Sequence, residues 1–65
     1  MTRQNITATS VEEAHRLLNA AVVELQHLAR SEGVRGILVT RTGPGQFIAE
    51  LSATVPYGLT LEAAG

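Results

Sequence analysis

The stretch VEEAHRLLNAAVVELQHLARS, residues 11–31, decides the fold of this 65-residue chain. Its apolar residues recur at spacings of three and four, as they do along one face of an amphipathic helix. The stripe consists of Val11, Ala14, Leu18, Ala21, Leu25 and Leu28, and it is widened by Leu17, Val22 and Ala29. At about 100° per residue, it spans an arc of roughly 140°. A stripe this broad has to be covered by the rest of the chain or by a partner.

The sequence contains a start signal and a stop signal for this helix. Ser10 and Glu13 have the spacing of a capping box. In that motif the Ser hydroxyl accepts from the Glu amide, and the carboxylate reaches back to the Ser amide. Gly33 suits the left-handed position just after the last turn. We also expect an ion pair between Glu12 and Arg16, which are four residues apart.

Two segments rich in β-branched residues, 36–42 and 46–53, predict a hairpin after the helix. They flank Gly43-Pro44-Gly45, a sequence typical of a tight turn. The length of this loop matters, because a slip by one residue exchanges the two faces of the hairpin. A two-residue loop would place Leu38 and Thr40 on the same face as Phe47.

A three- or five-residue loop centred on Pro44 gives a more apolar face, and we expect that loop. The expected core face consists of Ile37, Val39, Phe47, Ala49, Leu51 and Ala53. The opposite face then carries Leu38, Thr40, Thr42, Gln46, Ile48, Glu50 and Ser52. The part of the helix that should pack on this core is formed by Leu18, Ala21, Leu25 and Leu28.

The two ends of the chain predict shorter elements. Alternation around Ile6 in residues 1–9 indicates either a weak first strand or a frayed terminus. Pro56 cannot donate to a ladder, so the second hairpin strand should stop there. Residues 59–61 have the pattern of a short closing strand, and residues 62–65 that of a loose tail. The prediction is one α+β domain over residues 1–65, a single long helix packed on a small, mainly antiparallel sheet, in the order β-α-β-β with a weak N-terminal strand.

The composition excludes several classes of protein. The chain has no Cys, so it has neither disulfides nor thiolate metal sites. It shows no signal-peptide pattern and no apolar run near the roughly 20 residues of a membrane span, which predicts a soluble, cytoplasmic protein. With 45% hydrophobic residues and a net charge of −1, it is not a typical disordered segment. All its basic residues are Arg and all its acidic residues are Glu, as is typical of a GC-rich bacterial or phage genome.

No catalytic constellation or cofactor motif is visible in the sequence. His15 and His27 would lie roughly 18 Å apart along the helix axis, too far apart to bind one metal ion. The serines have no histidine at a suitable spacing. Gly43-Pro44-Gly45 lacks the Lys-Ser/Thr of a phosphate-binding loop. We therefore expect neither an enzyme nor a bound cofactor or metal.

Three apolar residues have no place in the expected core. Leu38 and Ile48 would lie diagonally on the far face of the hairpin, and Val23 falls on the polar face of the helix. A helix about 30 Å long also has more apolar surface than strands of about 23 Å can cover. The leading hypothesis is a small non-enzymatic protein-interaction module, such as an adaptor, inhibitor or assembly factor, that acts by surface binding as a homodimer.

A second hypothesis is a nucleic-acid-binding dimer. Arg30, Arg35 and Arg41 are scattered along the chain, and this hypothesis requires the fold to bring them into one basic patch. A third hypothesis is a ligand-binding or catalytic oligomer with a pocket at a subunit interface. No membrane partner is expected. In all three cases the central expectation is a partner, identical or not.

Overall fold

The computed structural model describes residues 3–64 and shows one helix packed on a four-stranded sheet. The elements are β1 (Arg3–Thr7), α1 (Val11–Glu32), β2 (Arg35–Gly43), β3 (Gln46–Pro56) and β4 (Thr60–Ala64). The strand order is β1-β3-β2-β4. β3 pairs antiparallel with both β1 and β2, whereas β4 pairs parallel with β2. The α+β class is confirmed, and the sheet is mixed because of its additional strand.

Helix α1 begins and ends where the sequence predicts. The Ser10 hydroxyl oxygen accepts a hydrogen bond from the Glu13 amide at 3.1 Å. Gly33 follows the last turn with a φ of +73°, and its amide donates to the carbonyl of Ala29. A residue with a Cβ adopts this left-handed conformation only at a cost, so glycine stops the helix at this position.

Two predicted contacts of the first turn are wrong. The Glu13 carboxylate accepts from the amide of Thr9 at 2.7 Å and from its hydroxyl at 3.2 Å, instead of reaching the Ser10 amide. Two donors on one residue hold this carboxylate better than a single amide does. Arg16 lies 3.9 Å from Glu13 and does not pair with Glu12, because residues three apart also share one side of a helix.

The β2–β3 hairpin has the predicted core face but a different turn. Its turn is the two-residue Pro44-Gly45, in which the glycine has a φ of +67°. A β-bulge between Arg41 and Gly43 adds Thr42 to the first strand, so that Arg41 pairs with Phe47. Because of this extra residue, Ile37 and Val39 share a face with Phe47, as they would with a three-residue loop. The core face is therefore confirmed for Ile37 and Val39 and from Phe47 to Leu51, and the prediction of a longer loop is wrong.

The weak first strand is confirmed. β1 pairs with β3 along its whole length, and Ile6, opposite Phe47, is buried against α1. The amide of Ala8 then donates to the carbonyl of Gly45 at 2.8 Å. This hydrogen bond fastens the chain to the hairpin turn just before the helix begins. Residues 1 and 2 of the predicted strand lie outside the described residues.

The core lies between α1 and the sheet face formed by β1, β3 and β2. Leu25 lies at its centre and has no exposed surface. The buried residues are Ile6, Ala21, Leu25, Ala29, Ile37, Val39, Ala49 and Leu51, with Leu17, Leu18, Val22 and Phe47 packed against them. Small residues on the helix allow its backbone to come close to the sheet. One layer of helix and one layer of sheet thus bury most of the apolar stripe.

Two predicted core positions, Leu28 and Ala53, are wrong, and one residue of the apolar stripe is left uncovered. Val11 lies in the first turn, beyond the part of the helix that the sheet covers, and is exposed. Leu28 is 38% exposed because Ala29 takes the buried position in the last turns. Ala53 is also exposed, because a register shift between Arg35 and Gly36 displaces the end of β3 and buries Val55 instead.

The predicted loose tail is wrong for residues 62–64, which belong to β4. The amide of Leu59 donates to the carbonyl of Pro56 at 3.1 Å and closes a turn. The amide of Ile37 then donates to the carbonyl of Leu59 at 2.9 Å. This bond starts the parallel ladder with β2 that orders the end of the chain. Gly65 lies outside the described residues.

The burial of α1 predicts different effects for two leucines on the same helix. Leu25→Ala should lower the free energy of unfolding by about 2–5 kcal/mol, because it leaves a cavity in the core. Leu28→Ala should cost about 1 kcal/mol or less, because part of that side chain already contacts water. Urea unfolding followed by circular dichroism measures both. Equal losses would mean that the helix packs through a different face.

Candidate interaction surface

The sheet face that points away from α1, which we call the open face, has an apolar centre. Side chains alternate along each strand, and the pairing places Leu38, Ile48 and Leu61 on this face. Leu38 lies beside Leu61 in the parallel ladder, and Ile48 lies diagonal to Leu38 because it pairs with Thr40. We call these three apolar residues the open-face cluster. It extends across β3, β2 and β4, three adjacent strands of the sheet.

Two members of this cluster were expected from the sequence, and the third was not. Leu38 and Ile48 are half-buried and have the predicted diagonal arrangement. Leu61 is exposed and was missed, because its position depends on the parallel pairing of β4 with β2. The alternation in Leu59-Thr60-Leu61 indicated a strand, but nothing in the local sequence indicates which other strand it pairs with.

The polar residues around the cluster balance each other in charge. Arg3 lies opposite Glu50 in the β1–β3 ladder, and Glu50 lies opposite Leu38 in the β2–β3 ladder. Asn5 and Thr40 flank Ile48 on its two sides. The open face therefore has an apolar centre, a hydrogen-bonding rim, and one charge of each sign on neighbouring strands.

The third candidate, Val23, does not join the open-face cluster. It is exposed on α1, which packs on the opposite side of the sheet. The thickness of the sheet and the helix separates it from Leu38 and Ile48. Single exposed apolar residues are common on protein surfaces, and Val23 has this character.

The three candidate arginines do not form one patch within the chain. Arg35 forms two hydrogen bonds of 2.6 Å with the carboxylate of Glu32, which largely balances its charge. Arg41 lies six residues further along β2, at a distance of about 20 Å. Arg30 lies in the last turn of α1. Arg41 is thus separated from the other two by most of the length of the sheet.

A groove of about 720 Å³ lies on the helix side of the sheet. It forms because α1 packs on β1, β2 and β3, so the N-terminal half of the helix faces β4 across a gap. Its apolar lining includes Val11, Leu18 and Phe47. His15, Arg41 and Glu62 also line the groove, whereas the hydroxyl of Ser10 is engaged in the helix cap.

No protein-family model, curated protein or solved structure matches the chain. Within residues 3–64, no helix is long and apolar enough to cross a membrane. In the same part of the chain, no three His, Cys, Asp or Glu residues are grouped so that they could hold a metal ion. The geometry of the open face and of β4 is therefore the basis for a functional proposal.

Two carboxylates at the ends of α1 have lowered pKa values. Hydrogen bonds from Arg35 lower the pKa of Glu32. The Thr9 amide, followed by its hydroxyl, lowers the pKa of Glu13, and the charge of Arg16 adds to this effect. Both groups bind protons less readily in the folded state than in the unfolded state, where the reference pKa is 4.5. Their stabilisation is therefore present above pH 4.5 and is lost as the pH falls through the lowered values.

We expect the unfolding temperature to fall over the acidic interval below pH 4.5, as these two carboxylates become protonated. The double variant Glu13→Gln/Glu32→Gln lacks both titrating groups, so its unfolding temperature should fall less steeply over that interval. Circular dichroism melting curves at several pH values measure the difference. Equal slopes for the two proteins would contradict the assignment of these contacts.

Proposed function

We propose that the protein is a small non-enzymatic protein-interaction module that acts by surface binding, as adaptors, inhibitors and assembly factors do, and that it works as a homodimer. One observation carries this proposal. Every residue from Pro56 to Ala63 is exposed, although residues 60–63 belong to a strand of the sheet. A strand that contributes so little to the core of its own chain is suited to contact a second protein chain.

Exposed apolar side chains are concentrated in the same segment. Tyr57, Leu59 and Leu61 are 48%, 50% and 47% exposed, and they lie within five consecutive residues. Leu61 connects this segment to the half-buried Leu38 and Ile48. Tyr57 lines a pocket with residues of α1, whereas Leu59 and Leu61 share the open face with Leu38 and Ile48. Apolar surface of the latter kind is typical of an interaction site.

The open face has the chemistry of a protein-binding surface. Its centre is apolar and its rim is polar, as in many protein interfaces. Arg3 and Glu50 balance each other, so the surface favours a partner with an apolar patch of low net charge. Small-molecule sites are concave, whereas this face is a sheet surface. These features support binding of a protein over binding of a small ligand.

The arrangement of the arginines gives less support to the nucleic-acid hypothesis. A nucleic-acid interface needs several unpaired basic groups that follow the phosphate backbone. Arg35 is already paired with Glu32, and Arg41 lies at the other end of β2. Titration of short duplex DNA and RNA at low salt separates the two hypotheses. If no binding is found under those conditions, the nucleic-acid hypothesis fails.

Site-specific photo-crosslinking in the organism that encodes the chain tests the proposed function. A photoreactive residue at position 48 should form an adduct with one other protein, because that position lies in the open-face cluster. The matched control carries the photoreactive residue in place of Gln26, which is exposed on α1, and it should form no such adduct. A second substitution, Leu38→Lys, should abolish the adduct by placing a charge in the apolar centre.

Three results would contradict the proposed function. They are the absence of an adduct from position 48, identical adducts from both positions, and adducts that contain only copies of this chain. The first two would remove the open face as a specific surface. The third would limit its role to self-association.

A further inference from the structure

We infer that β4 forms the interface of a symmetric homodimer, in which the β4 strands of two copies pair antiparallel about a two-fold axis at Leu61. This inference rests on the proposed homodimer and specifies its geometry. In the single chain, α1 packs on β1, β2 and β3, and residues 60–63 of β4 are all exposed. Both faces of β4 and one of its edges are therefore accessible to a second copy.

The accessible edge of β4 carries backbone groups that can bind another strand. Ile37 donates to the carbonyl of Leu59, so Leu59 and Leu61 direct their backbone groups toward β2. Backbone groups alternate in direction along a strand, and those of Thr60 and Glu62 therefore point away from β2. β4 is the last strand in the sheet order, and no other strand among residues 3–64 lies beside that edge.

Charge argues against the register centred on Glu62 and is compatible with the register centred on Leu61. A register centred on Glu62 would place two carboxylates directly opposite each other, which is destabilising. A register centred on Leu61 places Glu62 of each copy opposite Thr60 of the other. It also places the two Leu61 residues opposite each other, with Cα atoms about 4.5 Å apart.

The same register brings exposed apolar residues together. Leu59 of each copy lies opposite Ala63 of the other, on the same face as the two Leu61 residues. Leu59 and Leu61 are about half exposed in the single chain, and this pairing gives them apolar neighbours. The two open-face clusters then meet at the axis and form one continuous apolar surface on an eight-stranded sheet.

The opposite edge of the sheet is less suited to this contact. β1 and β4 both have five residues, but the sequence of β1, RQNIT, has Ile6 as its one apolar residue. Ile6 is already buried against the helix. Short, polar edge strands are a common protection against pairing with other chains. The two edges of the sheet therefore differ in chemistry, and β4 is the edge left open for pairing.

Single-cysteine variants test this register directly, because the chain has no cysteine of its own. Any disulfide then has to join two copies. Leu61→Cys places the two Cα atoms within disulfide range, whereas Glu62→Cys places them more than about 7 Å apart. Under mild oxidation, Leu61→Cys should form a covalent dimer at least about tenfold faster than Glu62→Cys, which is the matched control. Equal rates, or a faster reaction of Glu62→Cys, would overturn the Leu61 register.

Light scattering after size exclusion tests the edge contact independently. The unmodified chain should have twice the mass of one copy, 6.9 kDa. Glu62→Pro removes an outward amide and leaves the bonds to β2 intact, so it should give a folded monomer. Glu62→Ala is the matched control and should remain a dimer. Circular dichroism shows whether each variant is folded.

The outcomes separate this inference from the proposed function. A dimer that persists in folded Glu62→Pro overturns the β4 interface and leaves the homodimer in place. If Glu62→Pro does not fold, the cysteine rates alone decide the register. An unmodified chain that is monomeric at micromolar concentration overturns both the interface and the homodimer. The photo-crosslink from position 48 to another protein is unaffected by either result.

Discussion

The structure depends on one extra residue, Thr42, in the β-bulge beside the hairpin turn. With a plain Pro44-Gly45 turn, each strand of the hairpin would turn a different set of side chains toward the helix. The bulge places Ile37 and Val39 on the same face as Ala49 and Leu51, and these four residues form the floor of the core. It also sends Leu38 and Ile48 together to the opposite face. The core and the candidate interaction surface thus follow from the same register.

The second constraint is the width of the sheet relative to the helix. α1 packs on three strands, and β4 lies beyond them as a fourth. β4 is joined to the domain mainly by its parallel ladder with β2. It adds no buried residue to the core cluster, and it leaves the open face uncovered. Its exposed apolar side chains are therefore best explained by a contact outside the single chain.

Features that depend on neighbouring residues could be predicted from the sequence. The ends of α1 follow from Ser10 and Gly33, which act within one helical turn. The core face of the hairpin followed from its apolar alternation, even though the bulge that produces it was not predicted. Strand alternation alone does not tell a longer loop from a short turn with an extra residue.

Features that depend on residues far apart in the chain could not be predicted. The parallel pairing of β4 with β2 joins residues more than twenty positions apart, so Leu61 was missed as a member of the open-face cluster. The exposure of Leu28 depends on the exact rotation of α1 over the sheet, which the width of the apolar stripe left open.

Amide hydrogen exchange of β4, followed residue by residue by NMR, tests the central claim most directly. The parallel register directs the amides of Leu61 and Ala63 toward β2 within one chain, so they should be protected in any folded state. The amides of Thr60 and Glu62 point away from β2 and gain a partner only across the proposed interface. We predict that the Glu62 amide is protected to a degree similar to that of Leu61. Exchange of Glu62 at the rate of an unstructured peptide, while Leu61 remains protected, would contradict the account.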